Sequence, residues 1–185
     1  MLNQTQRRQL LQIARDSIAA VLDRRQPQLD ANAVDETLRT PAGAFVTLKT
    51  KSDELRGCIG SIHPVAPLFQ AVSMSAVSAA FRDPRFHPLQ RAEFDSIVME
   101  ISVMGPIVRC STADIVVGRD GLIITHGRNA GLLLPQVATE YSWTAEEFLR
   151  HTCLKAGLPA DTWKNPSCRI EKFEAEVFGE SALSC

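Results

Sequence analysis

The amino-terminal segment carries apolar residues at helical spacing, with polar residues between them. Asn3 and Gln6 stand at the two positions of a capping box, and Pro27 cannot continue a helix. The pattern therefore predicts an amphipathic helix over residues 4–25, with a buried stripe made of Leu10, Leu11, Ala14, Ile18, Val21 and Leu22.

Beyond this helix the pattern becomes shorter in period. A weak helical segment over 31–40 precedes two runs of strand-favouring residues, 44–49 and 55–62, with a polar turn around Ser52 and Asp53 between them. These runs predict a β-hairpin.

A second helix is predicted after the hairpin. Pro64 and Pro67 lie where the start of a helix tolerates proline, and the following residues are rich in alanine and serine, with Leu68 and Phe81 among them. Because small side chains allow close approach, this helix is expected to lie against a sheet.

The second half of the chain reads mainly as strands. Residues 96–104 form a β-run, residues 114–125 contain a hairpin signal at Arg119, Asp120 and Gly121, and 131–134 adds a short apolar piece. In the last segment, 169–178, alternation places Phe173, Ala175 and Val177 on one face.

One more helix separates these strands. Thr144 and Glu147 form a capping box, and Gly157 and Pro159 end the helix. Together these elements predict an α+β fold, a mainly antiparallel or mixed sheet with flanking helices, in a single domain over 1–185 whose core spans roughly 40–180.

Composition agrees with an ordinary globular protein: 45% of residues are apolar and 22% are charged. The 20 basic and 21 acidic residues give a net charge of −1, which removes the long-range field of a non-specific nucleic-acid binder. Binding to nucleic acid is therefore not expected. No uncharged apolar stretch approaches the ~20 residues of a membrane span, so no membrane partner is expected either.

The five cysteines are odd in number, widely spaced and without a Cys-x-x-Cys pair. This usage indicates reduced thiols and a cytoplasmic location. Cys185 is expected to be a disordered terminal thiol. No metal-ligand spacing, P-loop or dinucleotide fingerprint is present, so neither a metal nor a cofactor is expected.

The most informative stretch is Leu-Arg-Gly-Cys-Ile-Gly at residues 55–60. In an extended chain, Arg56 and Cys58 share one face, so the guanidinium could reach the sulfur. A neighbouring cation and a nearby helix N-terminus both stabilise a thiolate. Gly57 and Gly60 would leave room for a ligand or another backbone to approach.

This hexapeptide resembles the AMMECR domain family, whose microbial members are called protein A of the AmmeMemoRadiSam system. The resemblance runs in order from about residue 10 to 180, through Asp83-Pro84-Arg85-Phe86, Glu100-Ile101-Ser102-Val103, Gly121-Leu122-Ile123-Ile124, Gly131-Leu132-Leu133-Leu134-Pro135-Gln136-Val137-Ala138 and Ala175-Glu176-Val177-Phe178. It implies two unequal subdomains with the hexapeptide beside the cleft between them. It also implies association with a Memo-like protein, similar to extradiol dioxygenases, and with a radical SAM protein. It supplies no established reaction.

Cys58 and Glu100 are the candidate catalytic residues. Cys58 is either a nucleophile or a small buried side chain at a tight corner. Glu100 interrupts an apolar strand, so it needs a partner or a solvated cleft; it is either a proton-transfer group or half of a structural ion pair.

The candidate binding residues are Arg56, Gly57, Gly60, Asp83, Arg85 and Gln136. Asp83 and Arg85 either staple a loop or bind an anion, and Gln136 either donates to a ligand or caps nearby backbone. Two functions follow: a site for an unknown small molecule centred on Cys58, or a non-catalytic surface that docks the Memo-like and radical SAM proteins.

Overall fold

The structure is a computed structural model that describes residues 1–180, so the predicted behaviour of Cys185 lies outside the described residues. The chain forms two compact units. The first contains Met1–Met104 and residues 176–180, and the second contains Gly105–Ala175.

Five α-helices and seven strands define the fold of the described residues. In chain order they are α1 Gln4–Leu22, β1 Ala44–Thr50, β2 Leu55–Ser61, α2 Leu68–Phe81, α3 Arg91–Phe94, β3 Ile97–Met104, β4 Val108–Arg109, β5 Asp120–His126, β6 Asn129–Leu133, α4 Pro135–Glu140, α5 Ala145–Lys155 and β7 Arg169–Gly179. The strand order is β2-β1-β3-β7-β5-β6, and β4 also pairs with β7. These elements confirm the predicted α+β class with an antiparallel sheet and flanking helices.

The starts of α1 and α5 agree with the sequence-based expectation, whereas α3 and α4 have no counterpart in it. The Asn3 side chain accepts a hydrogen bond from the Gln6 amide at 2.9 Å, and the Gln6 side chain accepts one from the Asn3 amide at 2.9 Å. The same reciprocal bonds join Thr144 and Glu147 at the start of α5. Helix α1 ends at Leu22, three residues short of the predicted boundary.

In the first unit, α1 and α2 supply the apolar layer that covers one face of the sheet. Ala44, Val46 and Leu48 of β1 are fully buried there, with Met99 and Ile101 of β3 beside them. Since side chains alternate along a strand, the residues between these positions lie on the opposite face.

In the second unit, the core gathers around α5 and β5. Leu122, Ile124, Phe148 and Leu149 are almost completely inaccessible. Described strand pairs in this unit are antiparallel, with β5 between β6 and the first part of β7.

The predicted hairpin turn at residues 119–121 is wrong. Strand β5 begins there, and the two-residue turn lies at Gly127 and Arg128, between His126 and Asn129. The reason is the side chain of Asp120, which is buried and takes part in an ion cluster instead of a solvated turn.

Two further predictions differ from the structure. The weak helix over 31–40 is only a short 3-10 turn at Glu36–Arg39. In β7 the alternation does not persist, because Phe173 is buried in the second unit whereas Phe178, five residues on, is buried in the first. Val177, predicted to share the buried face, is 43% exposed. Among the described residues no helix has the length and apolarity needed to cross a membrane.

Asp120 is the main electrostatic constraint within the second unit. Its carboxylate accepts hydrogen bonds from Arg119, Lys172 and the Val116 amide. Burial alone would raise the pKa of Asp120, but these donors outweigh it and lower the pKa to about 2. A carboxyl with a lowered pKa stabilises the fold above its unfolded pKa, and this contribution disappears as the pH falls toward 2.

We expect Asp120→Asn to lose about 2 kcal/mol of unfolding free energy at pH 7, because a buried charged acceptor is replaced. The difference from wild type should shrink below about pH 4. Both tryptophans, Trp143 and Trp163, lie in the second unit, so urea unfolding followed by their fluorescence reports this unit. The control is Asp161→Asn, at an exposed ion pair, which should change little. Equal effects of both variants would contradict this role of Asp120.

Candidate functional site

Three polar side chains form a row across three neighbouring strands of the first unit. Thr47 of β1 is directly paired with Cys58 of β2 on one side and with Glu100 of β3 on the other. Residues that face each other in an antiparallel pair point to the same side of the sheet. We call Cys58, Thr47 and Glu100 the thiol row.

The thiol row lies on the face of the sheet opposite α1 and α2. Its central member, Thr47, stands between the buried residues Val46 and Leu48, which face the helices. Gly57 also faces the helices: a Cβ there would lie 2.2 Å from the Ala79 carbonyl oxygen of α2. The glycine is therefore required by the close packing of β2 on α2, which is a structural role.

The Cys58 sulfur is held by the Thr47 hydroxyl, which donates a hydrogen bond to Sγ at 3.2 Å. Cys58 as a residue is partly exposed. Thr47 was not singled out in the sequence. The available signal was its position as a polar residue between core residues on a strand paired with the hexapeptide, which becomes informative only once the register is known.

Arg56 does not have the role expected from strand alternation. Leu48 pairs with Gly57 and Lys49 with Leu55, so the register shifts and Arg56 is left over as a bulge. Its Nε and Nη2 donate to Glu93 at 2.9 and 3.2 Å, and Nη2 also donates to the His87 carbonyl at 3.0 Å.

Arg56 has further contacts besides those with Glu93 and His87. The guanidinium lies over the Phe86 ring, and its buried Nη1 has no hydrogen-bond partner among the described residues. No hydrogen bond within residues 1–180 joins it to Cys58. The ion pair with Glu93 also lowers the pKa of Glu93. Arg56 therefore anchors the segment around Glu93 to β2.

Asp83 and Arg85 bind the backbone of Cys58. The Asp83 carboxylate accepts a hydrogen bond from the Cys58 amide at 2.9 Å, while Arg85 Nη2 donates to the Cys58 carbonyl at 3.4 Å. The two side chains also pair with each other through Nε–Oδ1 at 2.9 Å and Nη2–Oδ2 at 2.6 Å. We call this arrangement the edge clip, because β2 is the last strand of the sheet.

The edge clip is buried at its acidic half, where the Asp83 side chain is 1% exposed. Hydrogen bonds from Arg85, with smaller contributions from the Cys58 and Arg85 amides, hold the pKa of Asp83 well below its ordinary value although burial opposes this. The bond to Asp83 likewise raises the pKa of Arg85, and the Cys58 thiol makes a small contribution in the same direction. The cation close to the cysteine is therefore Arg85.

Glu100 occupies the inner end of the thiol row, on β3. Its carboxylate is 3.9 Å from the ammonium of Lys49, which lies two residues beyond Thr47 on β1. A polar cavity of about 340 Å³ opens beside them, lined also by Asp53, Val98 and Gly179. Glu100 thus has an ion-pair partner and also borders an open cavity. The structure is compatible with both interpretations from the sequence, a proton-transfer group and half of a structural ion pair.

The remaining candidates occupy different places. Gly60 lies on β2 under the Phe45 ring, where a Cβ would meet that ring at 2.5 Å. Gln136 lies at the start of α4 in the second unit, and its buried Oε1 has no partner among the described residues.

Three further cysteines lie within the described residues. Burial raises the pKa of each of the thiols of Cys110, Cys153 and Cys168. Within residues 1–180 no three histidine, cysteine, aspartate or glutamate side chains converge to hold a metal ion.

Comparison with known proteins agrees with this architecture. The AMMECR1 family profile matches residues 11–178, so the chain belongs to the AMMECR1 family. It is 41% identical to protein NEQ441 of Nanoarchaeum equitans over 92% of this chain and 98% of that protein. It is 45% identical to a protein of Methanothermobacter thermautotrophicus over 97% and 96% of the two chains.

A solved structure has the same fold. The crystal structure of the uncharacterized protein PH0010 from Pyrococcus horikoshii superposes with a TM-score of 0.85 at 40% identity, covering 92% of this chain and 89% of that one. The α+β architecture is therefore that of an experimentally observed family member.

We expect the edge clip to stabilise the protein through its buried carboxylate. Asp83→Asn should lower the free energy of unfolding by about 2–3 kcal/mol at pH 7, because an amide cannot accept from all the donors that surround Asp83. The loss should diminish below about pH 4, where the wild-type carboxylate also loses its contribution. Urea unfolding followed by circular dichroism measures both effects.

The matched control for this variant is Asp53→Asn. Asp53 is 84% exposed in its ion pair with Lys49, and asparagine tolerates its positive φ of 64°. Its effect should stay below about 0.5 kcal/mol. A similar loss in both variants would show that the clip has no special energetic role.

Proposed function

We propose that the thiol row is a small-molecule site in which Cys58 acts as a nucleophile or covalent anchor. The observation that supports this best is the hydrogen bond from Thr47 to the sulfur of Cys58, a partly exposed residue, in register with Glu100. This hydrogen bond holds Sγ beside Thr47, in line with the Glu100 position across the strands.

The spacing of the row suits a ligand held above Thr47. Neighbouring strands are about 4.8 Å apart, so the Cβ atoms of Cys58 and Glu100 are separated by about 10 Å. This interval accommodates the reacting group of a small molecule between the sulfur and the carboxylate. Glu100 is then the proton-transfer group of the site.

Polar groups on the ligand would be bound by the cavity beside Glu100. Lys49 and Lys51 place ammonium groups at its wall, and Asp53 adds a carboxylate. Because both signs of charge are present, we infer a ligand that is itself polar. Arg85 holds the Cys58 backbone in place and is a positioning residue.

The alternative is that the surface docks a Memo-like or a radical SAM protein and that Cys58 only packs. The two functions differ in what they require of the sulfur. Chemistry at Cys58 depends on the thiol, whereas docking should survive Cys58→Ala. Co-purification with these partners that is equal for wild type and Cys58→Ala would favour docking.

We expect Cys58 to be the most reactive described thiol. In native protein at pH 7, iodoacetamide should label Cys58 before Cys110, Cys153 and Cys168, as measured by peptide mass spectrometry over time. Thr47→Val, which keeps the shape and removes the hydroxyl, should slow labelling of Cys58 about 10-fold. Labelling no faster than that of Cys110, or unaffected by Thr47→Val, would remove the activated thiol from the proposal.

We also expect metabolite binding to depend on the row. An untargeted screen of a metabolite extract by mass spectrometry should reveal a compound retained or consumed by wild type but not by Cys58→Ala. Glu100→Gln should retain binding and reduce conversion, because it keeps the shape and loses the proton-transfer group. Identical behaviour of wild type and Cys58→Ala across the screen would favour the docking function.

A further inference from the structure

The outer edge of β2 is covered at Cys58 and uncovered at Gly60, two residues further along the strand. The Cys58 amide is bound by Asp83, so it points away from β1. Backbone groups of an antiparallel pair alternate in direction every residue, so those of Gly60 point to the free edge as well. The Cys58 groups are bound by the edge clip, whereas no side chain and no loop backbone within residues 1–180 binds the N–H or C=O of Gly60.

A groove runs beside this open position. It has a volume of about 170 Å³ and lies between β2 and α2, on the helix side of the sheet. Ile59 and Ser61 line it from the strand, and Met74 and Ser78 line it from the helix. Met74 is 61% exposed, and Val65 at the groove is 72% exposed, so apolar surface faces solvent here.

One end of the groove is basic. Arg82 lies one helical turn beyond Ser78, at the end of α2, and is exposed. The Arg85 side chain is 54% exposed beside the Cys58 carbonyl, and its Nη1 makes no hydrogen bond within the described residues. The Arg85 guanidinium therefore stands where the edge clip blocks the strand, and Arg82 directly precedes Asp83 of the clip in the chain.

We propose that this edge binds the carboxyl-terminal segment of a partner protein as an added antiparallel strand. One peptide residue exchanges two hydrogen bonds with Gly60, which only an extended backbone running antiparallel can do. The next residue turns its side chain to the helix side and fills the groove beside Ile59. The chain must then end, because the edge clip occupies the following position, and its carboxylate lies beside Arg82 and Arg85.

This inference goes beyond the proposed thiol chemistry and does not rest on it. The thiol row lies on the face away from the helices, whereas the groove lies on the helix side of β2. Cys58→Ala should therefore abolish the chemistry and leave peptide binding intact, so failure of one proposal is distinguishable from failure of the other.

The test uses four acetylated hexapeptides of alternating threonine and valine that end in valine, leucine, isoleucine or phenylalanine with a free carboxylate. Titration into ¹⁵N-labelled full-length protein should shift the Gly60 amide resonance. At saturation, hydrogen exchange of this amide should slow at least 10-fold, because it gains a partner. A C-terminal amide should bind about 10-fold more weakly, since the charge-assisted bonds to arginine are lost.

Two changes separate strand addition from simple apolar contact. N-methylation of the peptide residue opposite Gly60 removes its N–H and should weaken binding at least 10-fold. Met74→Glu should weaken binding similarly, whereas Leu154→Glu, at an exposed apolar residue of the second unit, should leave it unchanged. Gly60 itself is left intact, because a Cβ there would lie 2.3 Å from the Ala44 carbonyl oxygen.

Several outcomes would overturn the proposal. If none of the four peptides shifts the Gly60 amide at millimolar concentration, the edge is not a peptide site. If N-methylated or amidated peptides bind as well as the parent, the occupant is not a carboxyl-terminal strand. A Gly60 shift that depends on protein concentration without peptide would instead assign the edge to a second copy of this chain.

Discussion

The interaction between the Asp83 carboxylate and the Cys58 amide connects the loop after α2 to the outermost strand of the sheet. An edge strand exposes unpaired backbone groups, which invite association with other chains unless they are covered. Here an aspartate and an arginine, two residues apart, bind both backbone groups of one residue, Cys58. The geometry of Cys58, and therefore of the whole thiol row, depends on this attachment.

The arrangement explains why the motif residues of this chain have unequal roles. Gly57 and Gly60 permit close approach of α2 and the Phe45 ring, and Asp83 and Arg85 hold the strand edge. These are positioning tasks, and the nucleophile that we propose is the Cys58 sulfur. The partner that acts on it, Thr47, comes from the neighbouring strand and outside the hexapeptide.

Local signals in the sequence were sufficient where the structure depends on local contacts. The capping boxes at Asn3 and Thr144 are satisfied within three residues, so both helix starts could be predicted. The bulge at Arg56 depends on pairing with Lys49 and Leu48 of another strand, and no residue pattern within the hexapeptide predicts it. For the same reason the predicted contact between Arg56 and the sulfur is replaced by the ion pair with Glu93, whose position requires the tertiary fold. Asp120 misled the sequence interpretation because an aspartate beside glycine is typical of a turn, whereas its burial is decided by Lys172, far along the chain.

The edge clip at Cys58 limits which strand can pair with β2 at Gly60. A fully covered edge would resist all strand addition, and a fully open one would pair indiscriminately. Here pairing can extend over Gly60 but cannot pass Cys58, because the backbone groups needed for the next pair already bind Asp83 and Arg85. A strand that enters this edge must therefore stop beside the Arg85 guanidinium, and a terminal carboxylate is the group that both ends a chain and complements that charge. The same clip that fixes the thiol row thus limits what the neighbouring edge can bind.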